Sequence, residues 1–256
     1  MSLQLIFIVG TEERKQKILQ QLKDLQIPFS FYILDASMPA NSEDYLPSEE
    51  TDYNKRLICC SRSHIRATEY ASRDTSADFS VILEDDAALH KTEFVNTVTK
   101  LVKEWDTLIP SHHKMVSIGW IPNRNYRHYK THNAKEKSFD TYSLIGMFFF
   151  GTQAYIIKKD TAKQYTPIFV KNTYKEFVDC MLISNVPYIT KDTNFLTPDQ
   201  WLNRAFVQIA LFPLLVIEQK EAQSLIGHFG TSNNEVVWRI FFEGHTTERA
   251  NYWSYE

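Results

Sequence analysis

Glycine is scarce, 7 in 256 residues, and neither a GxxxxGK(S/T) nor a GxGxxG pattern occurs. A glycine-rich cradle for phosphates is therefore excluded, and with it the Walker-type NTPases and Rossmann dehydrogenases. Cysteine is scarcer still: Cys59, Cys60 and Cys180, two of them adjacent. That count suits neither a disulfide framework nor a zinc knuckle. It fits a reducing compartment, so a cytoplasmic location is expected. No stretch approaches the roughly 18 apolar residues of a membrane helix. The opening "MSLQLIFIVG" has no basic segment ahead of its short apolar run, so neither a span nor a signal peptide is expected, and peripheral membrane contact stays open. An excess of one charge is missing too. Lys and Arg number 28 against 31 Asp and Glu, a net charge of −3, which speaks against a non-specific nucleic-acid partner. Repeats, linkers and low-complexity tracts are absent, which leaves a single domain over residues 1–256.

What is present is an ample apolar supply, 43% of residues, arranged in alternating strand and helix patterns. "LQLIFIVG" predicts a strand buried on both faces, first and central in a parallel sheet. "TEERKQKILQQLKDLQIPF" predicts a helix capped by Thr11, with Ile18, Leu19, Leu22 and Leu25 on one face, ending before Pro28. "FSFYILDA" completes a βαβ unit. Residues 36–54 read as a surface loop. "NKRLICCSRSHIRATEYASRD" is helical, with Leu57, Cys60, His64, Ala67 and Ala71 on one stripe. It leads into the strand "FSVIL". Thr92 is the expected N-cap of a helix that turns Phe94, Val98, Leu101 and Trp105 inward, and "MVSIGW" is the next strand.

The second half is less regular. Residues 123–137 are polar, basic and aromatic, a loop or flap. "SLIGMFFFGTQAYIIKKD" reads as a strand pair or one bent strand punctuated by Gly146 and Gly151. Asp160 or Thr161 caps a helix through Tyr165, "TPDQWLNRAFVQI" starts another after Pro198, and "PLLVIEQ" is a closing strand. The aromatic tail "NYWSYE" reads either as an interface or as a fold-back onto the core.

The chemistry concentrates in "FSVILEDDAAL", where an apolar run ends in Glu84, Asp85 and Asp86. Adjacent like charges repel, and burying one costs several kcal/mol unless a cation or donors compensate. One acid at a strand end is ordinary solvent exposure; three together point to a cation site. Hard oxygen ligands at the carboxyl end of a strand in an open α/β sheet favour Mg²⁺ or Mn²⁺ holding phosphate oxygens.

Four segments in order resemble family 25 glycosyltransferases, the bacterial lipooligosaccharide galactosyltransferases and collagen galactosyltransferase-like enzymes. "IFIVGTEERKQKILQQLKDLQIPFSFYILDA" is similar to the family's opening strand, turn and helix. "CCSRSHIRA" resembles its Cys-x-x-Ser-His helix, "VILEDDAAL" its acidic motif, and "GTQAYIIKKDTAKQY" its Gly-Thr-x-Ala-Tyr strand and helix. "PDQWL" is a weaker fifth match, and together they span residues 3–225. The resemblance implies an α/β, GT-A-like nucleotide-diphospho-sugar transferase fold, a mostly parallel central sheet flanked by helices. Residues 1–120 would form its nucleotide-binding half and 121–256 its acceptor-binding half.

The resemblance also assigns roles. Glu84 and Asp86 take the DxD places. Asp86 then binds Mn²⁺ or Mg²⁺ directly, while Glu84 or Asp85 reaches the ribose or a metal-bound water. His228, with His245 as alternative, completes the metal site as a late-chain histidine. Gly10, Thr11 and Arg14 of the opening turn meet the nucleotide, although Gly10 and Lys17 stand where the family has Asn and Arg. Thr152 and Gln153 line the acceptor or donor-sugar pocket. Arg124, Arg127 and Lys130 close over the diphosphate, unless that charge run is simply a solvated face. Asp199, at a helix start after Pro198, is the candidate base; an ordinary N-cap is the alternative. His64 is expected to be a buried ring that orients the acidic cluster, with direct catalysis as alternative. Cys59 and Cys60 read as packing residues.

The implied activity is an inverting, metal-dependent transfer of a hexose, galactose from UDP-galactose, to a saccharide or glycoconjugate acceptor. Two rivals stand beside it: a catalytically silent family member that binds a nucleotide sugar or glycan, and a metal-dependent phosphohydrolase.

Overall fold

The apolar run Leu3–Val9 forms β1, and six of its seven residues are buried because helices cover both of its faces. The computed structural model describes residues 1–112, 114–122, 143–145, 149–183, 201–202, 209–212, 214–219 and 251–254. Its further strands are β2 (Ser30–Asp35), β3 (Phe79–Glu84), β4 (Ala87–Leu89), β5 (Met115–Pro122), β6 (Ser143–Ile145), β7 (Phe149–Lys158), β8 (Ile209–Phe212) and β9 (Val216–Glu218). The helices are α1 (Glu12–Asp24), α2 (Asp52–Ala71), α3 (Glu93–Lys103), the short α4 (Trp105–Leu108), α5 (Lys159–Phe169) and α6 (Tyr174–Ile183).

Seven strands join in the order β2-β1-β3-β7-β5-β8-β6, and β4 pairs with β9 in a second, two-stranded sheet. Pairing is parallel for β1 with β2 and β3, and for β5 with β8. It is antiparallel for β7 with β3 and β5, and for β6 with β8. Five of the seven strands therefore run one way, and only β7 and β6 oppose them. The expected α/β architecture, a mostly parallel sheet flanked by helices, is the one the chain adopts.

The pleat divides the core in two. Leu5, Phe7, Val9, Phe79, Val81 and Leu83 pack with Ile18 and Leu22 of α1 and Phe94, Val98 and Leu101 of α3. Ile6, Ile8 and Ile82 pack on the opposite face with Ile58, Ile65 and Ala67 of α2 and with Phe169, Phe177 and Trp201. Burying each such side chain contributes about 1.5–3 kcal/mol. This parity decides which face every residue of β3 reaches, the acids at its end included.

Several local expectations need correction. Gln21, unremarked on the apolar face of α1, is fully buried: its side chain donates to Ala87 O (3.1 Å) and accepts from Leu89 N–H (2.9 Å). Such an amide satisfies the backbone of β4, a strand too short to show a period. Thr92 is the N-cap residue of α3 as expected, but its side chain makes no capping bond; His90 Nδ1 instead accepts from Glu93 N–H at 3.2 Å. Asp160 and Thr161 lie inside α5, whose N-cap is Lys158. Gly146 falls outside the described residues, and the segments on either side of it do not pair with each other: β6 joins β8, while β7 joins β3 and β5. Ile209 opens β8 rather than ending a helix. Gly119 packs closely on β9: a Cβ there would lie 3.0 Å from Val216 Cβ, so the neighbouring strand would have to give by a few tenths of an ångström.

The tail folds back. Lys91 N–H donates to Asn251 O (2.7 Å) and Trp253 N–H to Leu89 O (3.0 Å), while Trp253 Nε1–H reaches Asp24 Oδ2 of α1 at 3.1 Å. Tyr252 and Trp253 are both buried.

Candidate active site

At the carboxyl end of β3 the pleat sends neighbouring acids to opposite faces. Asp85, out of phase with Glu84, turns toward the start of α1. Its Oδ2 accepts from Gly10 N–H at 2.7 Å, and its Oδ1 pairs with the Arg14 guanidinium. Thr11 fixes this corner by capping α1, accepting from Arg14 N–H at 3.3 Å. Burial pushes the Asp85 carboxyl above its ordinary range, and the Gly10 N–H and Arg14 oppose that rise. A buried carboxylate with a cation and a backbone donor is a structural clasp between the β1–α1 turn and the acidic motif.

Glu84, in phase with Ile82, faces α2. Its Oε1 accepts from Thr152 Oγ1–H of β7 and lies 3.3 Å from His64 Nε2. That approach is not aligned as a hydrogen bond, and Nε2 has no hydrogen-bond partner among the described residues. His64 is fully buried, and its Nδ1 is 3.1 Å from Tyr155 Oη. Burial raises the Tyr155 phenol well above its ordinary value, and the Thr68 hydroxyl opposes the rise. One turn before His64 on α2 is Cys60. A Cys60 sulfur, a His64 ring nitrogen and a Glu84 oxygen all lie within 4.8 Å of one another.

The neighbouring serine of this helix is structural. Ser63 Oγ donates to Cys59 O (2.9 Å) and accepts from Ser37 N–H (2.8 Å), while Arg66 Nη1 donates to Asp35 O (3.0 Å). These bonds fasten α2 to the end of β2, so His64 is delivered to Glu84 by a rigid element. Asp86 sits half-buried in the turn between β3 and β4, where its carbonyl accepts from Gln219 N–H at 2.8 Å. Gln153, beside Thr152, is buried, and its Oε1 has no hydrogen-bond partner among the described residues.

Residues 5–182 match glycosyltransferase family 25, described as LPS biosynthesis protein. The chain belongs to glycosyltransferase family 25. Among solved structures, it is similar to a glycosyltransferase involved in the glycosylation of the major capsid of PBCV-1. The identity is 11%, covering 94% of this chain and 98% of that one, with a TM-score of 0.43. It is also similar to the galactosyltransferase LgtC in complex with donor and acceptor sugar analogues, at 10% identity over 91% of this chain and 95% of that one, TM-score 0.45. No curated protein matches. Membership rests on the family match, which covers more than half of the chain.

In this family 25 glycosyltransferase, the residues nominated from sequence divide into groups. Gly10, Thr11, Arg14 and Asp85 come together in the clasp. Glu84, Thr152 and His64 come together on the α2 face, and Gln153 borders them on β7. Asp199, His228, His245 and residues 123–137 lie outside the described residues. Sequence reasoning missed the place of Tyr155 beside His64 and the contribution of Cys60. The signal for Cys60 was its separation of four from His64 on a helix, which places both on one face. Tyr155 lies in the quoted Gly-Thr-x-Ala-Tyr stretch, but only the tertiary fold brings it beside α2. Among the described residues, no helix is long and apolar enough to cross a membrane.

Proposed function

We propose that the protein is a metal-dependent, inverting hexosyltransferase that moves galactose from UDP-galactose to a saccharide or glycoconjugate acceptor, using a GT-A-like site at the end of β3. The observation that carries this reading is the divided acidic motif: Asp85 is held by Gly10 and Arg14, so the turn is rigid while its neighbours serve a ligand. Glu84 and Asp86 supply the oxygen donors that Mn²⁺ and Mg²⁺ take, and Asp85 is committed elsewhere, so the residues fit a cation held by Glu84 and Asp86. Such a cation supplies Lewis-acid stabilisation of the departing nucleoside diphosphate.

The chain's own groups do the rest. Thr152 holds the Glu84 carboxylate in position beside the buried His64 ring, and Gln153 has an acceptor atom to offer a sugar hydroxyl. Gly10, Thr11 and Arg14 border the nucleotide and support the turn beneath it. Asp199 takes the acceptor hydroxyl's proton on the face opposite the leaving group, as inversion requires. His228 completes the cation site, and the basic segment 123–137 faces the diphosphate. Residues 1–120 serve the donor and 121–256 the acceptor, within one domain.

Donor turnover tests the proposal. Purified protein with Mn²⁺ is assayed against UDP-, GDP- and CMP-sugars. Release of nucleotide from UDP-galactose is expected, falling about 100-fold or more in Asp86→Ala with an unchanged circular dichroism spectrum. Binding of a donor without turnover overturns the catalytic reading, and phosphate release from simple monoesters replaces it with a hydrolase.

A further inference from the structure

We infer that Cys60, His64 and Glu84 form a binding site for a borderline-soft divalent cation of the zinc type, sharing Glu84 with the site proposed for Mn²⁺ or Mg²⁺ but distinct from it in its thiolate donor. A sulfur, a nitrogen and an oxygen donor converge within 4.8 Å. Cys60 and His64 come from one face of α2 and Glu84 from β3. Thiolate and imidazole ligands select zinc over magnesium or manganese, and three protein ligands leave a fourth tetrahedral position for water.

An independent observation points the same way. His64 is wholly buried, and its Nε2, aimed at Glu84, has no hydrogen-bond partner among the described residues. An acceptor or donor left in that state is costly, and a cation removes the cost. The spacing also suits a shared ion. With metal–nitrogen and metal–oxygen bonds of about 2.0–2.1 Å, the N···O edge of a tetrahedron is about 3.4 Å. His64 Nε2 and Glu84 Oε1 are 3.3 Å apart.

The other ring nitrogen is prepared for this role. Nδ1 lies 3.1 Å from Tyr155 Oη. With the ring proton on Nδ1 and donated to that oxygen, Nε2 presents its lone pair to the site, the arrangement that outer partners impose on metal-binding histidines. Charge balances as well. On binding, Cys60 releases its thiol proton to solvent, and thiolate plus carboxylate offset the two positive charges.

Co²⁺ is the probe, titrated into the metal-freed full-length protein. One equivalent is expected to bind with thiolate-to-cobalt charge-transfer absorption, and Zn²⁺ should displace it. Cys60→Ser should abolish that absorption with an unchanged circular dichroism spectrum, His64→Gln should weaken binding about 10-fold or more, and Cys180→Ser should change neither. Absence of the charge-transfer band at stoichiometric Co²⁺ overturns the site. So does a band that persists in Cys60→Ser, since it would then arise at another cysteine. No sugar donor enters the measurement, so its failure is distinguishable from failure of the transferase reading.

Discussion

The α1 side and the α2 side of the sheet receive adjacent carboxylates from one short turn, yet surround them with different chemistry. On the α1 side Asp85 meets a guanidinium and a backbone N–H, and the tail seals the same side through Trp253 and its bond to Asp24. On the α2 side Glu84 meets a hydroxyl, an imidazole backed by a phenol, and a thiol. The first set holds structure together, because each charge is answered by a fixed donor. The second brings together a carboxylate, a buried imidazole and a thiol whose donors converge within 4.8 Å. A single turn can thus be anchored on one face and remain chemically available on the other.

The largest expected effect belongs to the structural side. Trp253→Ala should destabilise the fold by about 3–5 kcal/mol, since a buried indole and its hydrogen bond to Asp24 are lost. Urea denaturation measures it, and a loss below about 1 kcal/mol would show that the tail does not seal the α1 side. Arg14→Ala comes next, at about 2–3 kcal/mol, because it leaves Asp85 buried without its cation. Adding Asp85→Asn should recover part of that loss, whereas Cys60→Ser across the sheet should shift the stability of the metal-freed protein by no more than about 0.5 kcal/mol. Equal losses on the two sides would erase the distinction.

A smaller effect is pH dependence through His90, whose ring caps α3 on the structural side. Burial lowers its pKa from 6.5 to about 4. Below pH 6.5 the unfolded chain takes up a proton that folded His90 refuses, so its contribution is full above that pH and is lost as pH falls toward about 4. The denaturation midpoint of His90→Asn, which keeps a capping acceptor, should therefore fall less steeply than wild type across that window. Parallel curves would remove His90 from the account.

Much of this was legible in local patterns. The apolar run of β1, the Thr11 cap and the stripe of α2 each express a period or a cap that a few neighbouring residues encode. What escaped was non-local. Nothing in the helix pattern marked Gln21 as buried, because its partners, Ala87 and Leu89, lie far along the chain. Thr92 is the N-cap residue of α3, but the capping bond to the first N–H comes from the imidazole of His90, two residues earlier, rather than from the threonine hydroxyl. The segments flanking Gly146 could not be assigned to partners, because hydrogen-bond pairing between strands is settled by the whole sheet.

The same division applies to the site. Sequence alone determined that a buried strand ends in three acids, that a Cys-x-x-Ser-His helix precedes it, and that the chain resembles family 25 glycosyltransferases. Composition and order are properties of the chain itself. Which acid is clasped by Gly10 and Arg14 and which meets Thr152 and His64 was decided only in three dimensions. The pleat of β3 turns successive side chains to opposite faces, and the packing of α1 on one and α2 on the other determines what each of them meets.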